Sequence, residues 1–258
     1  MDTTAETRAT TLAGVSPALA GYPREAVEWV VGRDPARLLE LSAGGGALTS
    51  ALCTLGHDVV ATDPSLDRAV FLRRNLPQAR VAVARAEDIP LGPSSVDVVA
   101  VGPGYVSLDI ARAHPEIARV LGSGGVLALI WNRGDAKVPW VRKLFALMGV
   151  DLASSGGEPF EWSDVLTVSQ HRSFRHWQRF ERHHLVNFVA SSARVASLSS
   201  DEREELLTEA GELYDSYGRG PDGLLMPWLV DCYRVRVKGT AHVVTTGPTD
   251  DGLLIDFS

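Results

Sequence analysis

Arg37-Leu38-Leu39-Glu40-Leu41-Ser42-Ala43-Gly44-Gly45-Gly46-Ala47-Leu48-Thr49 is the stretch whose reading decides the fold. A short apolar run ends at an acid, crosses a glycine-rich turn and enters a helix-forming run. That is the profile of a buried parallel strand passing through a tight turn into a helix N-terminus. Glycines let backbone approach a ligand closely, and a helix start offers unpaired N–H donors and a partial positive charge. A nucleotide-like ligand suits such a turn.

Working outward, the residues before it supply one helix. Tyr22-Pro23 opens it, Ala26, Val27, Trp29 and Val30 give it an apolar face, and Gly32 and Pro35 close it. Residues 1–20, rich in Thr, Ala and Ser, read as a loose lead-in. Beyond the turn, Ala47–Leu55 reads as a helix capped by Gly56. Strands follow at 58–63, 80–84, 95–101 and 126–131, with helices over 65–76 and from Gly102-Pro103-Gly104 to Leu121, the latter broken at His114-Pro115. Gly122-Ser123-Gly124-Gly125 reads as the turn into the fifth strand. Apolar strands alternating with helices predict an α/β, Rossmann-like doubly wound sheet of five parallel strands.

Past Trp131 the pattern loosens. A helix is expected over 138–150, a loop or cap over 151–164, and a strand over 174–185. A polar helix over 199–218 begins at Ser199 or Ser200, with Glu204 or Glu205 in its first turns. A last strand over 224–237 is broken at Pro227, and the tail 239–258 lies outside the core. The expected organisation is one α/β domain over 21–238, with a cap around 135–175.

Composition narrows the function classes. The chain has 258 residues, 45% of them hydrophobic, with a formal net charge of -7; mean hydropathy is +0.02 and the pI about 5.5. The acidic balance argues against a nucleic-acid binder, which usually shows a basic face, without excluding a local basic patch. Cys53 and Cys232 stand far apart without metal-ligand spacing, so neither a disulfide framework nor a metal site is expected. With no signal-peptide pattern and no membrane-length apolar run, the expectation is a cytoplasmic protein that does not bind membranes.

Two nucleotides compete for the glycine turn. The dinucleotide fingerprint G-x-G-x-x-G/A would use Gly44 and Gly46, but its third position falls on Thr49. Asp63, ending the second strand, suits a ribose in either case. The alternative rests on a resemblance. Glu40-Leu41-Ser42-Ala43-Gly44-Gly45-Gly46 resembles motif I of the class I methyltransferases, acid–x–Gly–x–Gly–x–Gly. Asp63-Pro64-Ser65 is similar to the segment holding the ribose-binding acid, and Ala86-Glu87-Asp88-Ile89-Pro90-Leu91 to the one beside adenine. Ser94–Val99 with Ile117–Leu127 resembles the fourth strand, helix and fifth strand. The likeness covers roughly 22–132 in register, and more loosely the bacterial "type 11" group through Trp140, Ser191-Ser192 and Pro227.

The resemblance implies a seven-stranded sheet whose last strand is antiparallel. It also implies S-adenosylmethionine as cofactor and methyl transfer to a small-molecule acceptor. Its cofactor contacts carry over to Glu40, Ser42, Gly44, Gly46, Asp63, Pro64, Ala86, Glu87, Asp88 and Gly102. Three places depart from the pattern. Ser42 stands at the first glycine, Pro103-Gly104-Tyr105-Val106-Ser107 replaces a Gln-Ala-Phe-His-Trp-like run, and Val15 and Leu19 replace a Tyr and an Arg. The departures allow either a more apolar acceptor or a non-catalytic protein of this fold. No residue identifies itself as a general base.

Some residues have plainer readings beside the functional ones. Asp63 also suits an N-cap, Tyr105 packing at a helix start, Trp131 the core and Asn132 a turn. His171–His184, the most basic stretch, reads as a strand with a solvated charged face, as a site for an anionic acceptor or, through His176, as a proton acceptor. His57 reads as an exposed turn residue, and His183-His184 as no metal motif on its own.

Overall fold

The computed structural model describes residues 21–150, 152, 163–218 and 223–238. The predicted lead-in, the tail and nearly all of the loop at 151–164 lie outside these residues. The chain divides into two compact units. The first takes Arg24–Ile130, Glu158–Arg172 and Cys232–Ser258, and the second takes Met1–Pro23, Trp131–Gly157 and Ser173–Asp231.

In the first unit, α1 (Arg24–Val31) precedes β1 (Arg37–Leu41), α2 (Ala47–Thr54), β2 (Asp58–Asp63), α3 (Leu66–Asn75), β3 (Arg80–Val83) and β4 (Val96–Val101). A 3-10 turn (Pro103–Ser107), α4 (Ile110–Val120) and β5 (Leu121–Gly134) follow, the residues of β5 from Trp131 on belonging to the second unit. The sheet has seven strands in the order β3-β2-β1-β4-β5-β7-β6, where β6 is Leu166–Phe180 and β7 is Leu224–Val237. β1 pairs in parallel with β2 and β4, β2 with β3, and β4 with β5. Leu38, Leu39, Glu40 and Leu41 are all buried, the mark of a strand covered on both faces.

The last two strands run antiparallel to each other. Lys238 N–H donates to the Val165 carbonyl and the Ser169 hydroxyl to the Arg234 carbonyl, so the numbering rises on one strand as it falls on the other. The expected seven-stranded α/β architecture is therefore present.

The second unit is built on an aromatic core. It carries α5 (Pro139–Leu147), α6 (Arg182–Ala190), the short α7 (Ala193–Ala196) and α8 (Ser200–Tyr217). Trp228 meets Phe145 and Phe188 edge-on, with ring centroids 6.0 and 5.7 Å apart, and Phe188 meets Phe180 at 5.7 Å. These are favourable quadrupole geometries, and the Trp228 indole N–H donates to Gln178 at 3.0 Å. α8 starts in a capping box between Ser199 and Glu202, earlier in the sequence than the glutamates expected there.

Several expectations need correction. α4 runs unbroken through Pro115: that proline is exposed, as is Ala111, whose carbonyl loses the helical donor, so water can take it. β5 starts at Leu121 and continues to Gly134; the glycines form an irregularity in the pairing between Val96 and Val98, and Asn132 is a buried strand residue. β7 passes through Pro227, whose carbonyl accepts from Asp135 N–H at 3.1 Å. The strand expected over 174–185 ends at Phe180. Leu185, Phe188 and Val189 are buried at helical spacing instead. His57 is buried rather than exposed, and neither ring nitrogen is hydrogen-bonded; burial lowers its pKa.

Replacing Trp228 by alanine removes the centre of the aromatic cluster. We expect a loss of about 3–5 kcal/mol, read as a lower urea midpoint.

Candidate functional site

Successive strands leave β1 toward opposite sides, with β2 on one flank and β4 on the other. This is a topological switch point, and open α/β sheets take ligands in the crevice outside the strands' carboxyl ends there. Residues 42–46 follow β1 and Gly102 with its 3-10 turn follows β4, so both loops border that crevice. Asp63 and Pro64 end β2, and Ala86, Glu87 and Asp88 follow β3. The residues singled out from sequence thus gather at one end of four adjacent parallel strands.

The loop after β1 is held by a carboxylate. Asp63 is wholly buried, and its two oxygens accept from Gly44 N–H and Ser65 N–H, each at 2.9 Å. One acid therefore ties the β1 loop to the start of α3. Arg68 approaches the same carboxylate at 3.9 Å. Gly46 has φ 79°, and a Cβ there would stand 2.6 Å from carbons of both Leu72 and Leu76. Packing against α3 as well as backbone shape therefore demands glycine. Gly45 is exposed, with nothing within 4 Å of a would-be Cβ. The loop thus offers open backbone directly before the N-terminus of α2, a cradle fitting a nucleotide-like ligand.

Ser42 adopts φ 54°, in the left-handed region where a side chain costs on the order of 1 kcal/mol relative to glycine. The position keeps a glycine's backbone without being glycine. Across from it, a Cβ at Gly104 would stand 2.8 Å from the Ser42 Cβ. Sequence reading alone does not single out Gly104, because its importance lies in what faces it.

Glu40 is buried and accepts from the Thr49 hydroxyl at 2.6 Å. Thr49, at the third fingerprint position, thus faces inward onto the acid. Burial pushes the Glu40 carboxyl up to about 8; the Thr49 hydrogen bond opposes the rise and the charge of Asp63 adds to it. Glu87 Oε1 accepts from Asp109 N–H at 3.0 Å, linking the β3 loop to the start of α4. Its burial works to raise the pKa, but the Asp109 N–H and Arg85 prevail and hold it below the usual range. Asp88 stays exposed, and Ala86 and Gly102 are buried.

In the turn after β4, Tyr105 and His114 are both buried, and the Tyr105 hydroxyl lies 2.8 Å from His114 Nε2. Burial raises the tyrosine pKa and lowers that of the histidine, so both are neutral near pH 7. Tyr105 is a packing residue anchored by His114.

The basic stretch is largely a solvated strand face. Arg172 pairs with Glu25, Arg175 with Asp135 and Arg182 with Asp215. His176 is half-buried, and burial lowers its pKa. The donor atoms of Glu181, His183 and His184 lie within 4.8 Å of one another, a grouping the bare His-His pair did not suggest. It sits at the N-terminus of α6, whose partial charge disfavours a cation. Cys53 and Cys232 are not joined in a disulfide. Among the described residues, no helix is long and apolar enough to cross a membrane.

Comparison with known proteins gives the family and the fold. Residues 39–129 match the family described as "Methyltransferase domain". The chain is 35% identical over 221 residues to an uncharacterized methyltransferase of Mycobacterium tuberculosis, spanning 83% of this chain and 88% of the relative. It is 29% identical over 223 residues to an uncharacterized methyltransferase of Schizosaccharomyces pombe, spanning 81% and 88%. The structure of a candidate type II methyltransferase from Anaeromyxobacter dehalogenans has the same fold, with a TM-score of 0.67 at 23% identity over 83% of this chain and 96% of that one.

Two outcomes follow from the buried acids. Folded Glu40 stays protonated up to about pH 8, whereas unfolded glutamate ionises near pH 4.3. Its contribution is fully present below the unfolded value and is lost as pH rises through the folded one, by up to about 1.4 kcal/mol per unit. The melting temperature of Glu40→Gln should match the parent near pH 4 and exceed it increasingly up to pH 8 (about four units in all); a gap constant with pH would contradict this. Asp63→Asn turns one acceptor into a donor facing a backbone N–H and should cost about 1–3 kcal/mol in urea unfolding.

Proposed function

This chain belongs to the methyltransferase domain family, and from that premise we propose that it transfers a methyl group from S-adenosylmethionine to a small-molecule acceptor. The observation that carries the reading is the pinned loop after β1, with Gly45 open and the N-terminus of α2 behind it, at the sheet's switch point. Family membership leaves the dinucleotide alternative without support, and Thr49 facing Glu40 argues the same way.

When bound, the cofactor supplies a sulfonium-activated methyl group. The chain's own residues hold and exclude. Residues 42–46 would bear on the methionine and ribose portion, with Asp63 keeping their shape. Pro64, Ala86 and Asp88 would border the adenosine end. The turn after β4 contributes Pro103, Gly104 and Val106, while the Tyr105 hydroxyl is engaged with His114. That favours an acceptor with an apolar reacting end and an intrinsically adequate nucleophile. Holding such an acceptor in line supplies about 7–11 kcal/mol without a dedicated base. An acidic chain whose two cysteines form no disulfide suits a cytoplasmic enzyme acting on small molecules rather than on nucleic acid or membrane.

Calorimetric titration with S-adenosylmethionine, S-adenosylhomocysteine and NADH tests the reading. We expect the first two to bind with dissociation constants at or below about 100 μM and NADH not to bind. Absence of binding by both sulfur ligands would overturn the proposal. Binding of both without turnover on a broad acceptor panel would instead favour a non-catalytic protein of this fold.

A further inference from the structure

Ser42 and Gly104 face each other across the two loops bordering the crevice. Ser42 follows β1 and occupies a backbone conformation suited to glycine. Gly104 lies in the 3-10 turn after β4, where a Cβ would approach Ser42 Cβ to 2.8 Å, closer than side-chain carbons pack. Its other near neighbours, the Ser42 carbonyl oxygen and Oγ, would both stand at 3.5 Å, an ordinary contact. The obstruction therefore comes from one atom of one side chain. Neither loop is free to slide away from it. Gly44 N–H and Ala43 N–H are bound by Asp63 and the Thr62 carbonyl, each at 2.9 Å. On the other side, Tyr105 is buried and anchored by His114, and its N–H donates to the Gly102 carbonyl at 3.1 Å.

We propose that Ser42 and Gly104 are a matched pair of positioning residues: the serine side chain fills the space the glycine leaves, and together they set the spacing of the two loops at the methionine end of the cofactor. The proposal rests on the S-adenosylmethionine reading above. It explains how the chain accommodates a side chain where its family's motif has glycine. The turn opposite carries no side chain at the facing position.

A double-mutant cycle in the full chain tests this, with Ser42→Gly, Gly104→Ala and the two combined. Adenosine, S-adenosylmethionine and S-adenosylhomocysteine are titrated into each, and thermal melts are recorded. We expect Gly104→Ala to weaken both sulfur ligands by about tenfold or more while leaving adenosine within about twofold, because the obstruction sits at one end only. Ser42→Gly alone removes the spacer without creating a clash and should weaken the sulfur ligands less than Gly104→Ala does, and the combined variant should recover to the Ser42→Gly level. Additive losses, or equal weakening of adenosine, would overturn the pairing. If the parent binds neither sulfur ligand, the methyl-donor reading fails and the cofactor part of this proposal with it. The melts then decide the steric part alone: non-additive melting temperatures uphold it and additive ones reject it.

Discussion

A single buried carboxylate carries the organisation of the crevice. Asp63 satisfies two backbone donors from different loops with no loss to solvent, one at Gly44 and one at Ser65. Charge-assisted bonds to backbone N–H groups are stronger than neutral ones. The glycine turn therefore has a fixed shape although it contains almost no side chains. Its tight seat on α3 through Gly46, Leu72 and Leu76 is the packing counterpart of that electrostatic tie.

The other acids at this end of the sheet repeat the pattern. Glu40 is turned inward and bound by Thr49, and Glu87 is spent on the N–H of Asp109. Tyr105 and His114 likewise answer each other. Polar groups that a sequence reader would offer to a ligand are mostly used to hold loops. This division suits chemistry in which the reactive group arrives with the cofactor and the protein supplies position.

Much of this was legible in the residues. The run Arg37–Thr49 announces its strand, turn and helix because glycine and apolar spacing act locally. Asp63 ends β2 and Glu87 follows β3 as the strand pattern expects, but their hydrogen bonds reach 19 and 22 residues along the chain, a distance no local pattern encodes. The pairing of Gly104 with Ser42 is not legible for the same reason, since a missing side chain acquires meaning only from its neighbour. The misread span 174–185 shows the local limit. Phe174 and Phe180 follow strand spacing, Leu185 and Phe188 follow helix spacing, and the charged residues between them mark no boundary. Pro115 and Pro227 were read as breaks because proline's general cost is known, while the exposure of Ala111 and the carbonyl bond of Pro227 are properties of place.

The approach of positions 42 and 104 also gives sequence change a direction. Between a chain with glycine at 42 and alanine at 104 and the present one lie two single-step intermediates. One has glycine at both positions and is merely roomy. The other carries two side chains whose β-carbons would stand 2.8 Å apart. Only the first avoids that clash, so the emptier loop is the easier passage between the two pairings.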